Sequence, residues 1–334
     1  MINSELPILV SFSGGRTSAF MVRYLRERYP NRNLIILFSN TGKEREETLD
    51  FVNECDIRWN LGVVWIEAQV NPERGKGTDF KVVDYQTASR NGEPFDAVNK
   101  KYGLANIASP HCTRELKTVP LQKYMASLGY NDWLTAMGIR YDERHRATEY
   151  KDRVSNPFYP LADEQMRVDK GFIRRWWDRQ PFELGVYIPK ELFELHYQQQ
   201  GTYKLLFCKP APWQNQYHYD KPKMPHHLDT ETQYFIPLKD YEGNCVLCYK
   251  KSFRKLLTLV KEQPQLLPWY QQQQKLYSEG QYTMFREGRT IDDLITEAGK
   301  PFERVVDEHE FEKMNPPMFD PYLDKEFDCF CKST

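Results

Sequence analysis

The start of the chain constrains its fold most. Residues 8–20 read Ile-Leu-Val-Ser-Phe-Ser-Gly-Gly-Arg-Thr-Ser-Ala-Phe, an apolar run that closes in a Ser-Gly-Gly turn and passes at once into a helix-forming segment. This is the pattern of a strand, a tight loop and a helix N-terminus. Adjacent glycines let the backbone bend and bring its N–H groups close to an anion. Ser11, Ser13 and Ser18 add hydroxyl groups. The helix that follows aims its free N–H groups and the positive end of its dipole at the same point. Ser11, Ser13, Gly14, Gly15, Arg16, Thr17 and Ser18 are therefore candidate phosphate-binding residues. The glycines alone also fit an ordinary strand-to-helix turn. Two well-known phosphate loops are excluded: there is no lysine for a Walker loop and no Gly-x-Gly-x-x-Gly.

The rest of the first half repeats this strand–helix alternation. Residues 6–12, 33–38, 62–67 and 133–139 read as buried strands, and 18–29, 44–59 and 113–128 as helices. Continuous apolar strands alternating with helices predict an α/β protein with a parallel, Rossmann-like sheet covered on both faces. Ligands of such a sheet sit at the carboxyl ends of its strands. The Ser-Gly-Gly loop lies at one such end, as do Asn40-Thr41-Gly42 and Gly138-Ile139-Arg140. Residues 71–92, polar and rich in glycine, read as a mobile loop over that crevice. Beyond about residue 160 the alternation fades. Residues 174–177, 190–198, 253–273 and 290–298 look helical, and 214–232 look irregular. The expected organisation is a nucleotide-binding α/β domain over 1–165 and a mainly helical C-terminal region over 166–334.

Composition narrows the partners. A net charge of −1 over 334 residues gives no global attraction to nucleic acid. The basic and aromatic stretches around Arg174–Trp177 and Tyr249–Lys255 leave local contact with nucleic acid open, although a solvated helix face is favoured. Nothing reads as a membrane span or a signal segment, so a cytoplasmic location is expected. In a reducing compartment seven cysteines do not imply a disulfide framework; clustered ones are better read as metal, cluster or redox residues.

Three further segments carry chemistry. Asn40 and Thr41, at a strand end, can hydrogen-bond a base or ribose, while Glu46 and Glu47 suit the first turn of a helix. His111-Cys112-Thr113-Arg114-Glu115-Leu116-Lys117 places a thiol, a guanidinium and an ammonium at a helix start. The dipole, Arg114 and Lys117 are expected to lower the Cys112 pKa. Gly138, Arg140, Arg144 and Arg146 lie just past a strand end, where arginine forks can clamp phosphate or sulfate oxygens.

Together these segments resemble the phosphoadenosine phosphosulfate (PAPS) reductases of the adenine nucleotide α-hydrolase-like superfamily. The likeness rests on the Ser-Gly-Gly loop, Asn40-Thr41-Gly42 with Glu47-Thr48, the Cys112…Leu116-Lys117…Pro120 run, and Gly138-Ile139-Arg140-Tyr141-Asp142-Glu143. It covers about residues 8–165. Thr17 stands where many ATP pyrophosphatases of the superfamily carry aspartate, which counts against metal-assisted cleavage of ATP. Arg144 replaces a serine of the reductase signature, and the reductases' terminal Glu-Cys-Gly tail is missing.

The resemblance implies an adenine nucleotide ligand (PAPS, adenylyl sulfate or ATP), with Mg²⁺ as its companion, and a thiol electron donor. It also maps Cys112, Cys245 and Cys248 onto ligands of a [4Fe–4S] cluster. Cys208, His111 or a C-terminal cysteine is the fourth candidate ligand. Zn²⁺ held by Cys245, Cys248, Cys329 and Cys331 is the competing arrangement, and free thiols a third. Cys329 and Cys331 could instead supply a mobile redox thiol, so Cys112, Lys117, Cys329 and Cys331 form the candidate catalytic set. Three activities remain open: sulfonucleotide reduction or sulfur transfer; an ATP pyrophosphatase-type step in sulfur modification of DNA or tRNA; or a nucleotide-binding subunit without catalysis.

Overall fold

The computed structural model describes residues 5–73, 75–147, 156–189, 209–210, 233–243, 245–278, 285 and 288–305. The segments 190–198 and 214–232, and the cysteines Cys208, Cys329 and Cys331, lie outside the described residues.

The first half is a six-stranded sheet in the order β4-β3-β2-β1-β5-β6. β1 (Ile8–Ser11), β2 (Leu34–Asn40), β3 (Val64–Val70), β5 (Leu134–Ala136) and β6 (Pro157–Phe158) run parallel, and β4 (Thr78–Val83) pairs antiparallel with β3. Ile8, Leu9 and Val10 of β1 are all buried, as expected of a central strand covered on both faces. α1 (Arg16–Arg28) follows β1 and α2 (Glu46–Trp59) follows β2. β1 has β2 on one side and β5 on the other, so the strand order reverses at β1. A crevice opens there, at its carboxyl end, where the Ser-Gly-Gly loop lies.

Residues 71–92, expected to be a loop over the crevice, contain the edge strand β4 instead. α3 (Glu93–Tyr102), not foreseen, follows with Pro94 in its first turn. Next comes α4, made of His111–Thr113, a π-helical turn over Arg114–Thr118, and Val119–Ser127.

The first hydrophobic core runs past residue 165. Val168, Phe172, Ile173, Trp177, Phe182, Leu184 and Leu238 pack with Phe20, Phe51 and Val52 in one cluster. α5 (Lys170–Asp178) begins at Asp169, whose side chain accepts the Phe172 N–H. A small antiparallel sheet follows, β7 (Gly185–Pro189) and β8 (Lys209–Pro210) flanking β9 (Gln233–Pro237). Among its described residues the C-terminal region also has three helices, α6 (Phe253–Glu262), α7 (Leu267–Tyr277) and α8 (Ile291–Gly299). The single helix expected over 253–273 is broken at Pro264, which cannot donate to the helical ladder. These helices form a second core with Leu116, Tyr241, Val246, Leu247 and Tyr249. No helix among the described residues is long and apolar enough to cross a membrane.

Candidate functional site

The loop after β1 is shaped by one obligatory glycine and one buried hydroxyl. Gly14 has φ +74°, and a Cβ built there would stand 2.6 Å from Thr48 Cγ2. Only glycine fits without displacing α2. Ser18 Oγ, in the first turn of α1, accepts the N–H groups of Ser13 at 3.2 Å and Gly15 at 3.3 Å, and donates to Gly15 O at 2.9 Å. Ser18 therefore braces the loop from beneath. Gly138 rests directly on it: a Cβ at Gly138 would lie 3.3 Å from Ser18 Cα. This close approach brings the segment after β5 to the loop, and Arg140 Nη1 donates to Thr17 Oγ1 at 3.3 Å. The two segments expected to grip one anion thus share one side of the molecule.

They line a cleft of about 560 Å³. Ser11, Ser13, Gly15, Thr17, Ser18, Gly138 and Arg140 form one wall; Thr113, Lys117 and Thr118 of α4 form another; Lys239, Asp240, Gly243 and Lys255 close it from the C-terminal region. The lining cations Arg16, Lys117, Arg140, Arg146, Lys170, Arg174, Lys239 and Lys255 outnumber the acids Glu143 and Asp240, so the cleft is basic in a chain that carries almost no net charge. Leu9, Leu121, Trp133 and Met137 add an apolar stretch. Several cations are held by neighbours: Arg140 pairs with Asp142 and Glu143, Arg146 with Glu143, and Lys170 and Arg174 with Asp240. Burial works to raise the Asp240 pKa, but Arg174 and Lys170 outweigh it and hold it down to about 2.

Other expected ligands are placed differently. The Arg16 guanidinium is bound to Glu183 and to the carbonyls of Leu184 and Leu238. Asn40 and Thr41 are buried: Asn40 donates to Glu67 and Ser89 O, and Thr41 donates from both N and Oγ1 to Glu44. Arg144 is more than half exposed, over the Tyr141 ring and beside Glu164.

Cysteines of the two halves come together around Lys117 of α4. Cys245 Sγ lies 3.6 Å from both Glu44 Oε1 and Thr41 Oγ1, and Cys112 Sγ lies 3.5 Å from the Tyr249 hydroxyl. Lys117 Nζ stands 3.9 Å from Glu44 Oε1 and lines the cleft. Burial opposes its charge, but Cys245, Glu44, Cys248 and Cys112 outweigh that and push its pKa up. Five residues apart, Cys112 and Lys117 would stand about 140° apart round an α-helix; the wider π turn, with Val119 N–H bonded to Arg114 O, narrows that angle.

The expected low pKa of Cys112 is not found. Burial pushes the Cys112 thiol up against the help of Tyr249, Lys117 and Lys250, and Arg114 is engaged by Glu115 instead. Burial and the neighbouring Glu44 carboxylate push Cys245 up to about 12. Among the described residues no group of three or more His, Cys, Asp or Glu side chains is arranged to hold a metal ion. The expected cluster and zinc sites also call on Cys208, Cys329 or Cys331, which lie outside the described residues. Sequence reasoning missed Lys239, Asp240 and Lys255 as cleft residues, since no motif marks them.

Comparison with known proteins agrees with this geometry. Residues 7–159 match the phosphoadenosine phosphosulfate reductase domain. The nin region protein ORF290 of Escherichia phage lambda is 33% identical over 183 residues, which are 53% of this chain and 61% of that protein. Protein MJ0066 of Methanocaldococcus jannaschii is 26% identical over 154 residues, 46% of this chain and 26% of that protein. The match thus spans about three fifths of one curated relative and a quarter of the other. The matched residues contain the loop after β1, the π turn of α4 and the arginine segment after β5, so the loop and α4 walls of the cleft lie in the part of the chain that is similar to this domain.

Proposed function

We propose that the protein binds an adenine nucleotide with a polyanionic 5′ tail in the basic cleft and acts on that tail in sulfonucleotide reduction or sulfur transfer. The observation that carries this reading is the single cleft shared by the Ser13–Ser18 loop and Arg140. Loop amides and a guanidinium facing one space suit a phosphate–sulfate anhydride. The apolar stretch of Leu9, Leu121 and Met137 suits a flat base. Lys117, charged and about a third exposed, stands where it can neutralise the far end of the tail.

Reduction of such a tail takes two electrons from two thiols. One thiolate attacks sulfur and expels the nucleotide phosphate; the second attacks the first sulfur, leaving a disulfide and sulfite. Cys112 is partly buried with its pKa pushed up, which favours an attacking thiolate from the Cys329–Cys331 segment or from an external dithiol. Thr17, in place of an acidic side chain, disfavours metal-assisted splitting of ATP.

The test is the melting temperature of the full chain with adenylyl sulfate, PAPS, ATP or adenosine, followed by product analysis with a dithiol reductant. The proposal requires the sulfonucleotides to stabilise more than adenosine does, and sulfite to be released. Pyrophosphate from ATP without sulfite would replace it with an ATP pyrophosphatase-type activity. Stabilisation with no turnover would leave a nucleotide-binding subunit.

A further inference from the structure

We infer that Arg16 is a positioning residue that docks the Cys-x-x-Cys-bearing segment onto the phosphate loop and so fixes the second wall of the cleft. Arg16 opens α1, the place where a guanidinium would be expected to meet an anion. Its side chain lines the cleft, but its donors are committed to protein partners and it is largely buried. Nε donates to Glu183 Oε1 at 2.8 Å, and Nη2 donates to Leu184 O and to Leu238 O, both at 2.9 Å.

These partners have one thing in common: they stand at the root of the small sheet. Leu184 immediately precedes β7 and Leu238 immediately follows β9, and the Leu238 N–H donates to Leu184 O at 3.0 Å. Arg16 thus clasps both strands where they leave the core. The main chain of the same residue is held too, since the buried Trp177 indole N–H donates to Arg16 O at 3.0 Å. A planar fork that reaches a carboxylate and two carbonyls at once is a task for arginine; a lysine ammonium has the charge but not the geometry.

What the clasp positions is the stretch directly after Leu238. Lys239, Asp240 and Gly243 line the cleft opposite the loop, and the next residues bear Cys245 and Cys248. The loop, α1 and this stretch are therefore set in register by a side chain at the loop itself. Other attachments of the stretch start further along it: Lys170 and Arg174 to Asp240, Arg45 to Glu242 O, Val246 N–H to Lys43 O, and Leu247 N–H to the Tyr270 hydroxyl.

The test uses the full chain carrying Arg16→Lys, Glu183→Gln, or both. The first readout is the rate at which Cys245 and Cys248 are alkylated at one fixed pH, resolved by mass spectrometry, with the core residue Cys55 as internal standard. Loss of the fork is expected to raise both rates roughly tenfold while Cys55 stays protected. Glu183→Gln is expected to give a smaller rise, and the double variant no more than Arg16→Lys alone. Unchanged rates in Arg16→Lys overturn the inference. So does an equal rise at Cys55, because Arg16 would then hold the whole core and not this segment.

The second readout is affinity for inorganic pyrophosphate, and this arm rests on the proposed anion site. A positioning role predicts weaker binding in both single variants. Weaker binding in Arg16→Lys alone, with Glu183→Gln unaffected, makes Arg16 a direct ligand and overturns the inference. If pyrophosphate does not bind the unaltered chain, the anion site fails, while the alkylation result still decides the role of Arg16.

Discussion

The two walls of the cleft are built on different principles. The loop wall is made by neighbours in sequence: a buried strand, Gly14 with φ +74°, and Ser18 bonded to amides three and five residues before it. The wall bearing Lys239 and Asp240, which leads into the segment with Cys245 and Cys248, is held to the domain by contacts between residues far apart, such as Arg16 with Leu238 and Lys43 with Val246. The first is therefore set wherever the β1–α1 unit folds. The second exists only once both cores have formed. A site split in this way has a rigid half for an anion and a half whose placement depends on tertiary structure.

The largest expected effect breaks the local wall. Gly14→Ala must adopt a left-handed backbone and push its Cβ against Thr48, and is expected to cost about 3 kcal/mol in urea unfolding. Its neighbour Gly15 has only Ser13 Oγ near, at 3.8 Å, so Gly15→Ala should stay within about 0.5 kcal/mol. Equal losses at both would mean that the loop is not shaped as described.

The next effect tests the distant wall through pH. The Asp240 carboxyl is held at about 2 in the folded chain, below the ordinary aspartate value. A depressed carboxylate stabilises the fold above its unfolded pKa, and that contribution is lost as pH falls through the folded value. Asp240→Asn should therefore be less stable than the unaltered chain by about 2 kcal/mol at pH 7. The gap should shrink between about pH 4 and pH 2. A gap independent of pH would detach Asp240 from Lys170 and Arg174.

A smaller effect sharpens the same comparison. Tyr270→Phe removes the hydroxyl that accepts the Leu247 N–H between the two cysteines, and should cost about 1 kcal/mol. Alkylation of Cys245 should rise in this variant while urea unfolding of the loop variants keeps its own ranking. No change at Cys245 would show that the turn is held by other contacts.

How much of this was legible in the sequence follows the same division. The strand, loop and α1 could be read directly, because the turn chemistry and the apolar run are contiguous. Gly138 and Arg140 could be placed beside the loop because parallel topology brings strand ends together. The role of Arg16 could not be read, since its partners lie at 183, 184 and 238. Nor could the π turn, which departs from the helical period that a sequence pattern assumes, or the raised Cys112 pKa, which comes from burial that only the tertiary structure creates. Pro264 did carry a visible signal for the break between α6 and α7. β4 escaped because its exposed, polar face resembles a loop.

The central claim is that the loop amides and Arg140 grip the same anion. Calorimetric titration of adenylyl sulfate into the unaltered chain and into Arg140→Ala tests it most directly. The account predicts binding that weakens about tenfold in the variant, the loss of one charge-assisted contact. Equal affinity in the two proteins would contradict it.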